Sequence, residues 1–361
     1  MIGYQLDLKN KAIRVKPKKL EKYRVFWGRL RGLTSVTVDD WAKMTGRLLF
    51  AGSFDDWIMF DLKPWYEAFK PVIRKAFGYL PKNWCRDRIW ETMRSRQLLV
   101  PLTNQMIIAA DRILELAPQP HCALYSVLRD FDGPPALTVC TDASLHAMGG
   151  CRIASDPEPW FYCYENVDGL ESIAGIPIPR RMLDANDTVP YAQRYTPEMR
   201  TKTKPHIGVL EFIAVCAQIR IITDELDGVV PDKPIITVVG DNMGVLGAIN
   251  RKRSTSGMYD PFLRWLEKEI RGKFRIVAVY CDTKKIPSDV LSRPQNRTLS
   301  DAHIDEFTTL GHQLARYENF DECIGWDYNT IRQTDFNRMN STVRAVWQEI
   351  SMIALQLTIW Q

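Results

Sequence analysis

No stretch of the sequence reaches the ~18 consecutive apolar residues that a membrane-spanning helix needs, so we expect no membrane segment. The N-terminal residues do not have the form of a signal peptide. None of the eight cysteines belongs to a C-x-x-C pair or to a His-containing metal pattern, and we interpret them as reduced, partly buried thiols of an intracellular protein. The sequence also has no internal repeat and no low-complexity tract, which argues against a repeat architecture.

The composition supports large hydrophobic cores and permits, but does not require, nucleic-acid binding. The 361 residues are 45% hydrophobic and include 11 tryptophans, which predicts one large domain or two to three ordinary ones. The formal net charge is +5 at pH 7. A mildly basic protein can bind a polyanion, although the excess of positive charge is too small to demand one.

Four acidic residues each begin or end a predicted regular element. Asp142 ends the apolar run 137–142, and Asp241 follows the predicted strand 235–240. Glu211 lies in the first turns of a strongly apolar helix predicted for 207–223, and Asp289 lies in the segment 286–293. Each acid taken alone could be a helix cap, a turn residue or a salt-bridge partner. Four acids brought together by one sheet would repel one another at pH 7 unless divalent cations neutralised them. Mg²⁺ prefers such oxygen ligands, and a carboxylate site with two metal ions suits phosphodiester cleavage.

The segments around these acids resemble the four signatures of the RNase H domain in retroelement reverse transcriptases of the gypsy and DIRS types. Those signatures read TDAS, ELLA, TDN and ADALSR, and they occur in that order. The matching segments are Thr141-Asp142-Ala143-Ser144, Leu210-Glu211-Phe212, Gly240-Asp241-Asn242 and Ser288-Asp289-Val290-Leu291-Ser292-Arg293.

The resemblance implies an α/β fold in which an RNase H-like mixed five-stranded sheet with flanking helices follows an α-helical thumb-like domain. The predicted strands are 137–142, 147–153, 159–164, 235–240 and 274–281. It also implies a ribonuclease H that cleaves the RNA strand of RNA/DNA hybrids with two Mg²⁺ ions, for which Mn²⁺ could substitute. In the family's arrangement Asp142 would bridge both ions, Glu211 and Asp241 would complete one side, and Asp289 the other.

The N-terminal region resembles the part of the same polymerases that joins the palm to the thumb. Residues 1–16 alternate as a β-hairpin, and their opening resembles the family phrase LGY-x-ID. Residues 17–120 are predicted to be a helical thumb or connection domain, with a helix cap at 37–40. Neither Asp-Asp pair, at 39–40 or 55–56, stands in a strand turn, so we expect no palm and no polymerase activity.

The remaining boundaries follow from composition. The RNase H-like domain is predicted for 136–295 and contains an irregular insertion at 165–205, which is longer than the family pattern leads us to expect. A helical C-terminal extension covers 296–361, with helices at 301–316 and 341–360. The apolar stripe of the second helix predicts docking on its own protein, and subunit contact is the alternative.

Nine residues are candidates for nucleic-acid contact. The motif polar residues Ser144, Asn242 and Arg293 are close in sequence to the acids. The loop residues Arg251, Lys252 and Arg253 either contact phosphates or form a solvated turn. In the helical domain the candidates either grip a phosphate backbone or form a solvated helix face; they are Lys18, Lys19 and Lys22. His146 fits a surface turn better than a general base.

Two functional classes remain open at this point. The first is the nuclease, whose partners would be an RNA/DNA hybrid or structured RNA and, in one version, a separate palm-bearing polymerase subunit. The second is a domesticated, non-catalytic RNA- or protein-binding scaffold in a large ribonucleoprotein or other assembly, for example a mitochondrial ribosome. The four acids favour the first class, because a scaffold has no reason to keep mutually repelling carboxylates. The missing palm, the long insertion and the apolar C-terminal helix favour the second. An integrase or transposase is a weaker third possibility, because those sites close with a Glu on the last helix.

Overall fold

The chain forms a mixed α/β structure made of two compact units, residues 1–133 and 134–361. The computed structural model describes residues 4–7, 12–53, 55, 57–78, 86–118, 137–145, 147–153, 161–164, 170, 178–183, 188–189, 202–226, 235–283, 286, 288, 292 and 336–359. Asp289, Arg293, His146 and the predicted helix 301–316 lie outside these described residues. Among the helices described, none is both long and apolar enough to cross a bilayer.

The first unit is mainly helical. An antiparallel hairpin pairs β1 (Tyr4–Asp7) with β2 (Ala12–Val15), and a second short pair joins β3 (Ser35–Thr37) to β4 (Leu99–Pro101). The helices are α1 (Pro17–Leu30), α2 (Val38–Ala51), α3 (Ile58–Asp61), α4 (Lys63–Phe77), α5 (Arg86–Ser95) and α6 (Asn104–Leu116). The predicted cap of α2 is confirmed, because the Thr37 side chain accepts a hydrogen bond from the Asp40 amide at 3.1 Å.

Three buried tryptophans form the centre of this unit. Their indole N–H groups all have acceptors, as buried indoles require. Trp27 donates to the Asp111 carboxylate at 2.8 Å, Trp41 donates to the Trp65 carbonyl at 3.1 Å, and Trp65 donates to the Met106 carbonyl at 3.1 Å. Because each bond joins different segments, the tryptophans fix the relative positions of the helices as well as filling the core.

The second unit contains a mixed five-stranded sheet. Its strands are β5 (Leu137–Ala143), β6 (Met148–Ile153), β7 (Phe161–Tyr164), β11 (Ile235–Gly240) and β12 (Arg275–Tyr280), in the order β12-β11-β5-β6-β7. β11 is parallel to both β5 and β12, whereas β6 and β7 continue the sheet antiparallel. Four of the five predicted strands agree with the observed strands to within two residues at each end. The remaining strand was predicted for 159–164, and residues 159 and 160 lie outside the described part.

The described residues of the predicted insertion include a small sheet, although the sequence pattern indicated an irregular segment. Within 165–205, β8 (Arg180–Met182) pairs antiparallel with both β9 (Thr188–Val189) and β10 (Thr203–Pro205). The Arg180 guanidinium is buried in this small sheet and donates to the Thr203 hydroxyl at 2.9 Å. Strands are predicted from alternating apolar and polar residues. Here a buried position is occupied by an arginine, between proline-containing segments, so that alternation is not visible in the sequence.

Four described helices complete the unit: α7 (Ile207–Leu226), α8 (Met243–Arg251), α9 (Asp260–Ile270) and α10 (Phe336–Ile359). α7 is almost wholly buried and packs on β5 and β6, which explains its apolar composition on all sides. The C-terminal helix α10 packs on α7, α9 and β7. The prediction that it docks on its own protein agrees with this packing, since Ile350 and Ala354 are buried.

A charged cluster ties three of these helices together. The Arg220 guanidinium of α7 donates to the Glu269 carboxylate of α9 at 2.7 Å and to the Glu349 carboxylate of α10 at 2.8 Å. The Trp265 indole also donates to Glu349, at 2.8 Å. The Arg220 guanidinium therefore joins α9 and α10 to α7, which is the helix that carries Glu211.

Candidate metal centre

Three carboxylates from distant parts of the sequence meet at one edge of the five-stranded sheet. Because β5 and β11 are parallel and Cys140 is in register with Val239, the residues two positions further along, Asp142 and Asp241, lie at the same level. Glu211 reaches them from the start of the second turn of α7. Each of the three acids offers a carboxylate oxygen, and these oxygens lie within 4.8 Å of one another.

Burial makes this convergence costly without a cation. Asp142 and Glu211 are each only 4% exposed, and Asp241 is partly exposed. Carboxylates this close together disfavour one another's charged forms, and burial adds to the effect. Oxygen-rich clusters of this kind suit hard divalent cations such as Mg²⁺. The three residues can therefore hold a metal ion.

Two hydroxyl groups orient the carboxylates. The Thr283 hydroxyl, just beyond β12, donates to Asp241 at 2.6 Å. The Ser292 hydroxyl donates to Asp142. Such supporting hydrogen bonds fix the direction of a metal-binding carboxylate. No sequence pattern indicated Thr283 as a site residue, and Ser292 was indicated only as part of a motif. A hydroxyl residue shortly after a strand that ends beside an acid would have been a usable signal for Thr283.

The acids line an open cleft of about 480 Å³. Its other lining residues include polar Asn242 and Thr283, together with apolar side chains that are exposed to solvent: Ile207, Met243 and Tyr280. Carboxylates alone would repel an anionic group, whereas with a divalent cation bound between them the floor and its apolar rim would fit a ligand that carries both an anionic group and apolar faces. The cleft is thus open to solvent rather than enclosed.

Tyr259 is a buried neighbour of the site that no sequence pattern indicated. Its ring packs on Phe212, with ring centroids 5.4 Å apart. Burial, and secondarily the Glu211 carboxylate, raise the pKa of Tyr259 to about 12. Its hydroxyl is therefore protonated at neutral pH. The hydroxyl lies so close to Gly208 that a Cβ atom at position 208 would be 2.1 Å from the oxygen.

We expect Gly208→Ala to destabilise the protein by about 1–3 kcal/mol, because the added methyl group has no room beside the Tyr259 hydroxyl. The double variant Gly208→Ala/Tyr259→Phe should recover most of this loss, since the next closest ring atom would be 3.3 Å away. Denaturant unfolding measures both. Gly46→Ala is the control, because a Cβ atom at position 46 meets no atom within 4 Å. No recovery in the double variant would contradict this account of the contact.

The residues predicted to bind nucleic acid have different surroundings. The Ser144 hydroxyl accepts a hydrogen bond from the Ala147 amide at 3.0 Å, and Asn242 caps α8 by accepting from the Gly244 amide at 3.1 Å. Arg251 and Arg253 are exposed. Lys252 is not placed to reach a phosphate, because it is 5% exposed and its ammonium donates to the Ile276 carbonyl at 3.4 Å.

The three lysines predicted for the helical domain lie on α1 in the first unit. Lys18 and Lys22 are exposed. The Lys19 ammonium lies 3.6 Å from the centroid of the Phe50 ring, in a cation–π contact. The positions of all three agree equally with phosphate contact and with a solvated helix face, so their assignment stays a prediction.

Comparison with known proteins gives structural neighbours only. No protein-family model matches the chain, and no curated protein sequence matches it. The chain is similar to the foamy viral protease-reverse transcriptase dRH in complex with double-stranded DNA, at 13% identity and a TM-score of 0.23, covering 78% of this chain and 37% of that one. It is also similar to the foamy viral protease-reverse transcriptase in complex with an RNA/DNA hybrid, at 11% identity and a TM-score of 0.22, covering 77% of this chain and 28% of that one. The chain thus spans well under half the length of these relatives, and TM-scores this low carry no argument about its function.

Proposed function

We propose that the protein is a metal-dependent nuclease of the RNase H type, which cleaves the RNA strand of RNA/DNA hybrids. The observation that carries this proposal is the convergence of Asp142, Glu211 and Asp241 within 4.8 Å in an open cleft. These three residues are 30 to 99 positions apart in the chain. Such a site has an obvious use in cation binding and no obvious use in stabilising the fold.

The donor set fits hard divalent cations, and four residues would hold them. By the sequence resemblance, Asp142 would take the central position, Glu211 and Asp241 one side, and Asp289 the other. When bound, a pair of Mg²⁺ ions, or Mn²⁺ in their place, would activate water and stabilise the charge on the leaving 3′-oxygen. The protein's own contribution is orientation: Thr283 and Ser292 hold two of the carboxylates in fixed directions.

The substrate class rests on the shape and chemistry of nucleic acid. A phosphodiester brings the anionic group that a cation-filled floor would attract, and the sugars bring apolar faces to Ile207, Met243 and Tyr280. The 2′-hydroxyl is the feature by which a protein can distinguish RNA from DNA. A palm-bearing polymerase subunit, a larger ribonucleoprotein and an intracellular location remain predictions from the sequence. The apolar stripe of α10 no longer favours a scaffold role, since Ile350 and Ala354 are buried against its own unit.

The direct test uses an RNA/DNA hybrid labelled on either strand, incubated with the full chain and Mg²⁺. We expect cleavage of the RNA strand into fragments with 3′-hydroxyl ends, an intact DNA strand, and no reaction after chelation of the metal. Heat-denatured protein is the control for contaminating ribonuclease. If the RNA strand remains intact with both Mg²⁺ and Mn²⁺, the nuclease proposal is wrong.

A further inference from the structure

The small sheet β8–β10 leads directly into the helix that carries Glu211. β10 ends at Pro205, and α7 begins at Ile207. The amide of the intervening residue, His206, donates to the Pro179 carbonyl at 2.8 Å, which ties the start of α7 back to the strand β8. The sheet is therefore held beside the first turn of α7, and Glu211 follows in the next turn.

Two positive residues face each other across this sheet. In the register of the antiparallel pair β8–β10, Lys204 is directly opposite Arg181. Thr203 and Pro205, on either side of Lys204, are buried, so strand alternation places Lys204 on the open face. Lys202, two residues earlier, is also exposed. Two exposed lysines, Lys202 and Lys204, therefore lie on or beside this open face.

The positive charge extends to the start of α7. Burial lowers the pKa of His206, and the nearby Arg181 charge lowers it further. The imidazole is therefore neutral at pH 7, and the charge on this surface comes from Arg181, Lys202 and Lys204. The N-terminal end of α7 adds the partial positive charge of its amide groups. Ile207, which lines the carboxylate cleft, follows Lys204 by only three residues, so these described positive charges lead directly to the edge of the cleft.

We propose that Arg181, Lys202 and Lys204 form a phosphate-binding surface. It would contact the same nucleic-acid strand that lies at the carboxylate cluster. This inference rests on the proposed function for the identity of the ligand. Nucleic acid is the occupant because one continuous polyanion can meet both the open basic face and a cation-filled cleft. A single phosphate or an acidic peptide would not need the two features side by side.

The test measures binding separately from cleavage. An Asp142→Asn background prevents turnover, and a fluorescent RNA/DNA hybrid is titrated at several salt concentrations with the divalent cation held constant. Each lost phosphate contact should make the slope of log K against log salt less negative by about 0.9. We expect this change in Lys204→Glu. Lys268→Glu on α9 is the control, because it changes the net charge equally at another exposed lysine of the same unit.

A structural role for Lys204 would not produce this salt signature. Should Lys204→Glu fold poorly, Lys204→Gln removes the charge without adding a new one, and the same change in slope is expected. If both slopes equal that of the Lys268→Glu control, the surface does not contact phosphates and the inference is overturned. Since binding is measured in a variant that cannot cleave, a failure of the nuclease proposal would leave this result interpretable.

Discussion

Replacing Asp142 with asparagine is expected to lower the rate of RNA cleavage by roughly 10³-fold, which corresponds to about 4 kcal/mol of transition-state stabilisation. Asparagine keeps the shape of the side chain, and its carbonyl oxygen can still accept the Ser292 hydrogen bond. It removes the negative charge that the central ligand position requires. The loss should therefore appear in catalysis rather than in folding.

Two measurements separate these effects. Single-turnover cleavage of the labelled hybrid gives the rate, and thermal unfolding gives the stability with and without Mg²⁺. In the unmodified protein a metal concentration about 100 times the dissociation constant should add about 2.7 kcal/mol of stability, and this gain should be absent in the variant. Asp224→Asn, which removes an exposed carboxylate from the same helix α7, should change neither quantity. A cleavage rate within tenfold of the unmodified protein would rule out Asp142 as a metal ligand.

Replacing Trp347 with alanine is expected to destabilise the second unit by about 3–5 kcal/mol. The Trp347 side chain is fully buried, and its ring stacks near Phe262 at a centroid distance of 6.3 Å. Its indole also donates to the Leu170 carbonyl at 3.1 Å, so alanine would leave that acceptor unpaired as well as opening a cavity.

Chemical denaturation of the whole chain measures this loss, provided that the transition of the second unit is followed separately from that of the first. Met352→Ala is a matched control on the same helix, because Met352 is 56% exposed and its truncation should cost less than about 0.5 kcal/mol. Equal, small effects of both substitutions would show that α10 is not docked in solution.

The sequence patterns predicted the sheet well because its strands are short apolar runs that end at polar residues. The acids Asp142 and Asp241 could be placed at strand ends from those runs alone. That the two acids lie at the same level of the sheet could not be predicted, because it depends on the register of two parallel strands almost 100 residues apart. Tyr259 reaches the site through tertiary packing, which leaves no trace in local spacing, whereas the position of Thr283 shortly after a strand is a usable signal.

Two differences between the predictions and the structure have physical causes. Arg251, Lys252 and Arg253 were predicted to contact phosphates or to form a solvated turn, yet Lys252 adopts a left-handed backbone conformation and its side chain is buried. A lysine can bury its long aliphatic stem whenever its ammonium finds an acceptor, which residue type alone does not reveal. The small sheet was missed because prolines and paired charges in 165–205 are more typical of irregular segments.

The bridge made by Arg220 has a practical consequence for preparing shorter versions of the protein. A product ending before Phe336 would retain the four acidic motifs and look complete by sequence. It would nevertheless leave Arg220 with one acidic neighbour in place of two and would uncover the aromatic surface of α9 around Phe262 and Trp265. Expression boundaries chosen to isolate the second unit should therefore extend through Ile359.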